Sequence, residues 1–162
     1  MDSPADPTVD AYFLREAAEE AQKGILRKAG GPFGAVIVQD QRIIAKACNE
    51  VLARKDPTAH AEMLAIREAS RFLGRPHLNS CVLYTTCYPC PMCLGAVLWA
   101  RINTVVYALR PEDAAQAGFD DAAFYRQIKS GRMENTPLRN ARSEAVQRLM
   151  HAWRQLPDQQ LY

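Results

Sequence analysis

Two short strings, TAHAE at 58–62 and PCPMC at 89–93, constrain this chain more than anything else in it. Each sets candidate metal ligands at a predicted helix start. Cys90 and Cys93 are three apart, so at the first turn of a helix their sulfurs share one face and can reach a single ion. The run CVLYTT from Cys81 reads as a short apolar strand, and Pro89 suits the first turn of a helix predicted over about 90–100. Free amides and the dipole at a helix N-terminus favour thiolate over thiol, which lowers the cost of binding a cation through sulfur. Upstream, Pro57 breaks the chain, Thr58 can cap, and Met63, Ile66 and Leu73 mark one face of a helix ended by Gly74. His60 and Glu62 then lie in its first turns. An ideal helix does not turn residues i and i+2 to the same side, so this pair has to converge from the helix tip.

The rest of the pattern supplies a scaffold. Phe13, Ala17, Ala21 and Ile25 recur every four residues in a first helix that Thr8 can cap and Gly30 and Gly31 stop. Residues 35–38 and 42–47 read as two strands about a turn at Asp40 and Gln41. A strand at 104–108 follows the predicted helix at 90–100, and the right-handed crossover makes it parallel to the strand before. Two short helical pieces come next, around PEDAAQAGFDDAAFYRQI, and then a last helix over about 140–156 whose apolar stripe, Trp153 included, reads as packing. His77 reads as a loop residue and His151 as a decoration of that last helix.

At 162 residues and 48% hydrophobic the chain predicts one domain with a real core, ending in a polar tail at 157–162. Twenty Lys and Arg against eighteen Asp and Glu leave a formal charge of +2, far from the basic balance of a phosphate-tracking protein. Nucleic acid is therefore not an expected partner. The opening MDSPADPTVD lacks the cationic start and apolar run of a signal peptide, and no stretch approaches the roughly 18 apolar residues of a membrane span. Five cysteines, an odd number with three crowded at 87–93, fit a reducing compartment better than a disulfide framework. A cytoplasmic protein is the expectation.

His60 and Glu62 with Pro89, Cys90 and Cys93 complete the H-x-E and P-C-x-x-C signature of zinc nucleobase deaminases. In that reading His60, Cys90 and Cys93 hold one zinc ion, the fourth position is left to water, and Glu62 moves protons between the water and the substrate. The bland alternative is a closed structural site with four protein ligands, for which Cys87 is the nearest spare sulfur. Cys87 lies beyond Tyr88 and Pro89 at the end of the preceding strand, and the open site is favoured. Cys48 and Cys81 read as ordinary buried thiols.

Through GGPFGAVIV, DPTAHAE, LYTTCYPCPMCLGA, WAR, AGFDD and the closing Tyr162, the sequence resembles the cytidine deaminase-like superfamily and, within it, the small bacterial guanine deaminases. The resemblance implies a three-layer α/β/α sandwich around a mixed five-stranded sheet, and zinc-dependent hydrolysis of guanine to xanthine and ammonia. It implies that Asn49 hydrogen-bonds the purine, although that side chain could equally satisfy a turn, and that Asp121 is a second proton carrier serving the amino group at C2. Phe33, Ala61 and Trp99 would line the base, with core packing as the alternative for the two aromatic residues. Tyr162 would belong to a tail that closes over the pocket and can be exchanged within a homodimer. A tRNA adenosine deaminase, a deaminase of cytosine, another heterocycle or an aminotriazine, and a zinc-stabilised binding module without catalysis are the competing readings.

Overall fold

In the computed structural model, which describes residues 7–131, 133 and 136–158, Asp40 and Gln41 both take left-handed φ values of 49° and 59°. Such a pair twists a two-residue hairpin in the sense its strands require. It folds β1 (Gly34–Gln39) back on β2 (Arg42–Cys48). The other edge of β1 pairs antiparallel with β3 (Cys81–Cys87), which pairs parallel with β4 (Thr104–Leu109), giving the order β2-β1-β3-β4. The helices are α1 (Pro7–Leu26), α2 (Val51–Arg54), α3 (Ala61–Leu73), α4 (Pro91–Trp99), α5 (Pro111–Gln116), α6 (Ala122–Ser130) and α7 (Glu144–Arg154).

Strand alternation separates two cores. Ala35 and Ile37 of β1 and Leu83 of β3 face Ala61, Ala65 and Ala69 of α3 and Val97 of α4. Val36, Val38 and Tyr84 face Phe13 and Ala17 of α1. Residues 7–122 are thus a unit of three layers, helix, mixed sheet, helices, as expected. The expected fifth strand is absent among the described residues. After β4, Pro111 and the alanine-rich PEDAAQ turn the chain into α5, and no β-branched run follows.

Two expectations for helix faces change. Ile25 is 50% exposed and Gly24 takes its place in the buried row. Each four-residue step overshoots a 3.6-residue turn, so the row Phe13, Ala17, Ala21 drifts off the sheet by its fourth member. The described residues from 123 to 158 form a second unit, in which no residue of α7 is buried: Val146, Leu149, Met150 and Trp153 are all at least 40% exposed. The stripe predicted as packing meets no core there, because some 40 residues carrying two helices have little with which to enclose one. Ser143 caps α7 by accepting from the Val146 amide, so the helix starts later than expected. Tyr162 lies outside the described residues.

The seat of α1 depends on Gly34, where a Cβ would lie 2.0 Å from the Ala17 carbonyl oxygen and 2.7 Å from the Ala21 nitrogen. Both are backbone atoms, so Gly34→Ala must lift α1 from β1. Urea unfolding should show it destabilised by roughly 1 to 3 kcal/mol or more. On the same face the Tyr84 hydroxyl donates to Asp10 Oδ1 at 2.9 Å. Burial, and then this bond, push the phenol up to about 12. Folded Tyr84 therefore keeps its proton where an unfolded tyrosine, ionising near about 10, has lost it. Its contribution to stability is complete below that pH and lost as pH rises through about 12. Unfolding midpoints should thus fall less steeply over this alkaline range in Tyr84→Phe than in the parent.

Candidate metal centre

The two strings that dominate the sequence come together at the N-termini of α3 and α4. His60 is the N-cap of α3, with ψ at 153°, and Cys90 is the N-cap of α4, with ψ at 168°. Both are extended residues just outside the helix, and neither side chain makes a capping hydrogen bond. This resolves the i, i+2 difficulty. His60 is not bound to helical geometry, while Glu62 is in the first turn, and both reach Cys93: its Sγ lies 3.7 Å from His60 Nδ1 and 3.6 Å from Glu62 Oε2. The expected caps differ in detail. Thr58 donates its amide and hydroxyl to Asp56 instead of capping α3, and the proline inside α4's first turn is Pro91, not Pro89.

Ligand atoms of His60, Cys90 and Cys93 lie within 4.8 Å of one another, with Cys90 Sγ 3.6 Å from His60 Nδ1. Tetrahedral zinc, about 2.3 Å from sulfur and about 2.0 Å from nitrogen, would separate the two kinds of donor by about 3.5 Å. The nitrogen-to-sulfur spacings of 3.6 and 3.7 Å fit it. The charges fit as well. Hydrogen bonding from Cys93, and then from His60, brings the Cys90 thiol down to about 4, and Cys93 is pushed up by the same bond and by burial. His60 is raised, chiefly by its bond to Cys90. The pair thus favours a thiolate at Cys90, and a bound cation would favour the thiolate form of the second sulfur as well.

Glu62 is 6% exposed; burial raises its carboxyl, and Thr85 Oγ1 donates to its Oε1 at 3.1 Å. Asp121 is half-buried and raised by burial first, then by the charge on Cys90. Its neighbour Asp120 is exposed and accepts from the Ala122 amide. Asn49 is 5% exposed, and its Oδ1 accepts from the amides of Gly31 and Val51, both at 3.2 Å. The turn therefore takes the oxygen, and the amide NH₂ is the end left to donate. Gly30 makes room for it, since a Cβ there would sit 2.0 Å from Oδ1.

Phe33 is half-buried and meets Phe119 edge-on at 4.9 Å. Phe119, whose signal lay in AGFDD, was missed as a separate residue; it ties the segment bearing Asp121 to the GGPFG turn. Ala61 is fully buried at the first position of α3. Trp99 is not brought to the site. It is 68% exposed on the last turn of α4, nine residues beyond Cys90. Cys87 stays outside the ligand group, and its thiol donates to the Arg110 carbonyl at 3.7 Å. Cys48 and Cys81 are buried free thiols, as expected.

Residues 7–109 match the cytidine and deoxycytidylate deaminase zinc-binding region. The chain belongs to this deaminase family. It is a zinc-dependent hydrolytic deaminase, with a ligand set that suits the metal. Guanine deaminase of Bacillus subtilis (strain 168) is 52% identical over 124 residues, 76% of this chain and 80% of that protein. The X-ray structure of guanine deaminase from Bacillus subtilis superposes with a TM-score of 0.88 at 44% identity, covering 94% of this chain and 98% of that one. The tRNA-specific adenosine deaminase of Aquifex aeolicus (strain VF5) is 48% identical over 97 residues, 60% of this chain and 64% of that protein.

Each of the three donors is expected to be needed for metal. Elemental analysis should find about one zinc per chain in the parent protein and close to none in Cys93→Ser. Chelation should abolish activity while circular dichroism still reports the fold, because the two apolar cores of residues 7–122 are built without the ion.

Proposed function

We propose that this deaminase converts guanine and water to xanthine and ammonia. One feature that supports the reading is Asp121, which lies beyond the family's zinc-binding region in the sequence and whose carboxyl is raised by burial and then by the charge on Cys90. It gives the site a second carboxyl group besides Glu62. The similarity to the Bacillus subtilis guanine deaminase structure along 94% of the chain supports the same choice, whereas the tRNA enzyme matches 60%.

His60, Cys90 and Cys93 would hold zinc. The metal supplies Lewis acidity that brings water toward ionisation near neutral pH. Glu62, with Oε2 beside Cys93, takes a proton from the attacking water and passes it to the ring nitrogen next to C2. Asp121 delivers a proton to the amino group as the bond to C2 breaks and ammonia leaves, and takes back the proton of the C2 hydroxyl as that oxygen becomes the carbonyl of xanthine. Burial suits both carboxyls to these tasks, since each is raised and can carry a proton closer to neutral pH than an exposed acid. Asn49 donates its amide NH₂ to an acceptor on the base edge, and Phe33 offers a flat apolar wall. Ala61, wedged between His60 and Glu62, completes the floor with its backbone. The chain acts as one deaminase domain and as a homodimer. Its five free thiols fit the cytoplasm.

Ammonia release from guanine, adenine, cytosine and a tRNA anticodon stem-loop, measured at matched concentrations of zinc-loaded protein, tests the assignment. Guanine should be the preferred substrate, and Glu62→Ala and Asp121→Ala should each lower kcat by about 100-fold or more. Release from the RNA alone would overturn the guanine assignment and leave the deaminase chemistry in place.

A further inference from the structure

Thr85 is fully buried in β3, on the side of the sheet that packs against α3 and α4. Alternation along the strand puts it in one row with Cys81, Leu83 and Cys87, while Tyr84 faces α1. Valine would fill the same space in such a row. The hydroxyl group is the anomaly, and it donates to Glu62 Oε1 at 3.1 Å.

At the other oxygen, Oε2, the donor is the thiol of Cys93 at 3.6 Å. A metal-bound thiolate has no proton to give. With zinc in place, Thr85 is thus the side-chain donor left on this carboxylate among the hydrogen bonds of the described residues. We propose that Thr85 is a positioning residue for the deamination: its hydroxyl holds Oε1 so that Oε2 keeps facing the metal ligands and the water that Glu62 must deprotonate. The strand is a rigid mount. Thr85 is opposite Ala35 of β1 and Tyr107 of β4, so it is paired on both sides in the interior of the sheet. The inference rests on Glu62 being the proton carrier.

Thr85→Val keeps the shape and removes the donor, Thr85→Ser keeps the donor and removes a methyl group, and Glu62→Ala and Glu62→Gln stand beside them. The expected result for Thr85→Val is a kcat on guanine about 10- to 100-fold below the parent, with KM, zinc content and melting temperature little changed. Thr85→Ser should keep kcat within about threefold while melting lower, as a buried methyl is lost. In the Glu62→Gln background Thr85→Val should cost nothing further, because there is no longer a carboxylate to aim. A crystal structure of Thr85→Val should show the Glu62 carboxylate turned from Cys93. If Thr85→Val does not fold, Thr85→Ala against Thr85→Ser isolates the hydroxyl, and a kcat at least about tenfold higher in Ser supports the role. Parental kcat in Thr85→Val, equal losses in the serine and hydroxyl-free variants, or an undiminished loss in the Glu62→Gln background overturns it. Full activity in Glu62→Ala would instead remove the proton carrier itself, a separate failure that this variant alone reports.

Discussion

Two helix N-termini pointing at one spot are the constraint on which the site depends. Sulfur ligands and a carboxylate cannot be buried together unless positive potential faces them, and the opening turns of α3 and α4 supply it from two directions. The convergence is a consequence of packing. Ala61, Ala65 and Ala69 are fully buried along α3, so the helix lies close to the sheet, and α4 lies beside it as the crossover between the parallel strands β3 and β4. One strand end and one turn then place Cys90 next to His60.

Polar groups around this point are sorted by what satisfies them. Asn49 gives its oxygen to two backbone amides and keeps its NH₂ for another partner. Asp120 spends its charge on the Ala122 amide, and Asp121 shares the field of Cys90 and His60. Glu62 is raised by burial but held by a hydroxyl from the strand below. A carboxylate in this position is costly to bury, which fits a residue kept for proton transfer better than one kept for stability. Among the described residues the opposite face of the sheet has no such cluster: Phe13, Val36, Val38 and Tyr84 form an apolar layer whose buried hydroxyl has its partner in Asp10.

Much of this was legible in the residues. The hairpin, the parallel strand pair and the Cys90–Cys93 pair followed from local patterns, because turn residues, β-branched runs and i, i+3 spacing act over a few positions, and His60 joined the two cysteines through the H-x-E and P-C-x-x-C signature. What was misread had other causes, some of them just as local. Ile25 lost its buried place because a row spaced by fours drifts around a helix. Thr58 was drawn away from its capping role by Asp56. Trp99 looked like a wall for the base because it follows the metal motif closely, yet it sits at the far end of α4 from the ligands. The fifth strand came with the resemblance, and no β-rich stretch supports it.

By itself the sequence determined the chemistry that is available: a histidine, two cysteines and a glutamate at helix starts, a near-neutral surface charge, and a hydrophobic alternation that demands a sheet covered on both faces. Only the tertiary structure decided which atoms meet. Asp120 accepts from the Ala122 amide while the Asp121 carboxyl is raised by burial and then by the charge on Cys90, the oxygen of Asn49 belongs to the turn, and Thr85 reaches Glu62 from across 23 residues. A residue type carries its ionisable and hydrogen-bonding groups wherever it stands, but which of them is desolvated, and beside what, depends on the register of strands and the angles of helices that no local pattern records.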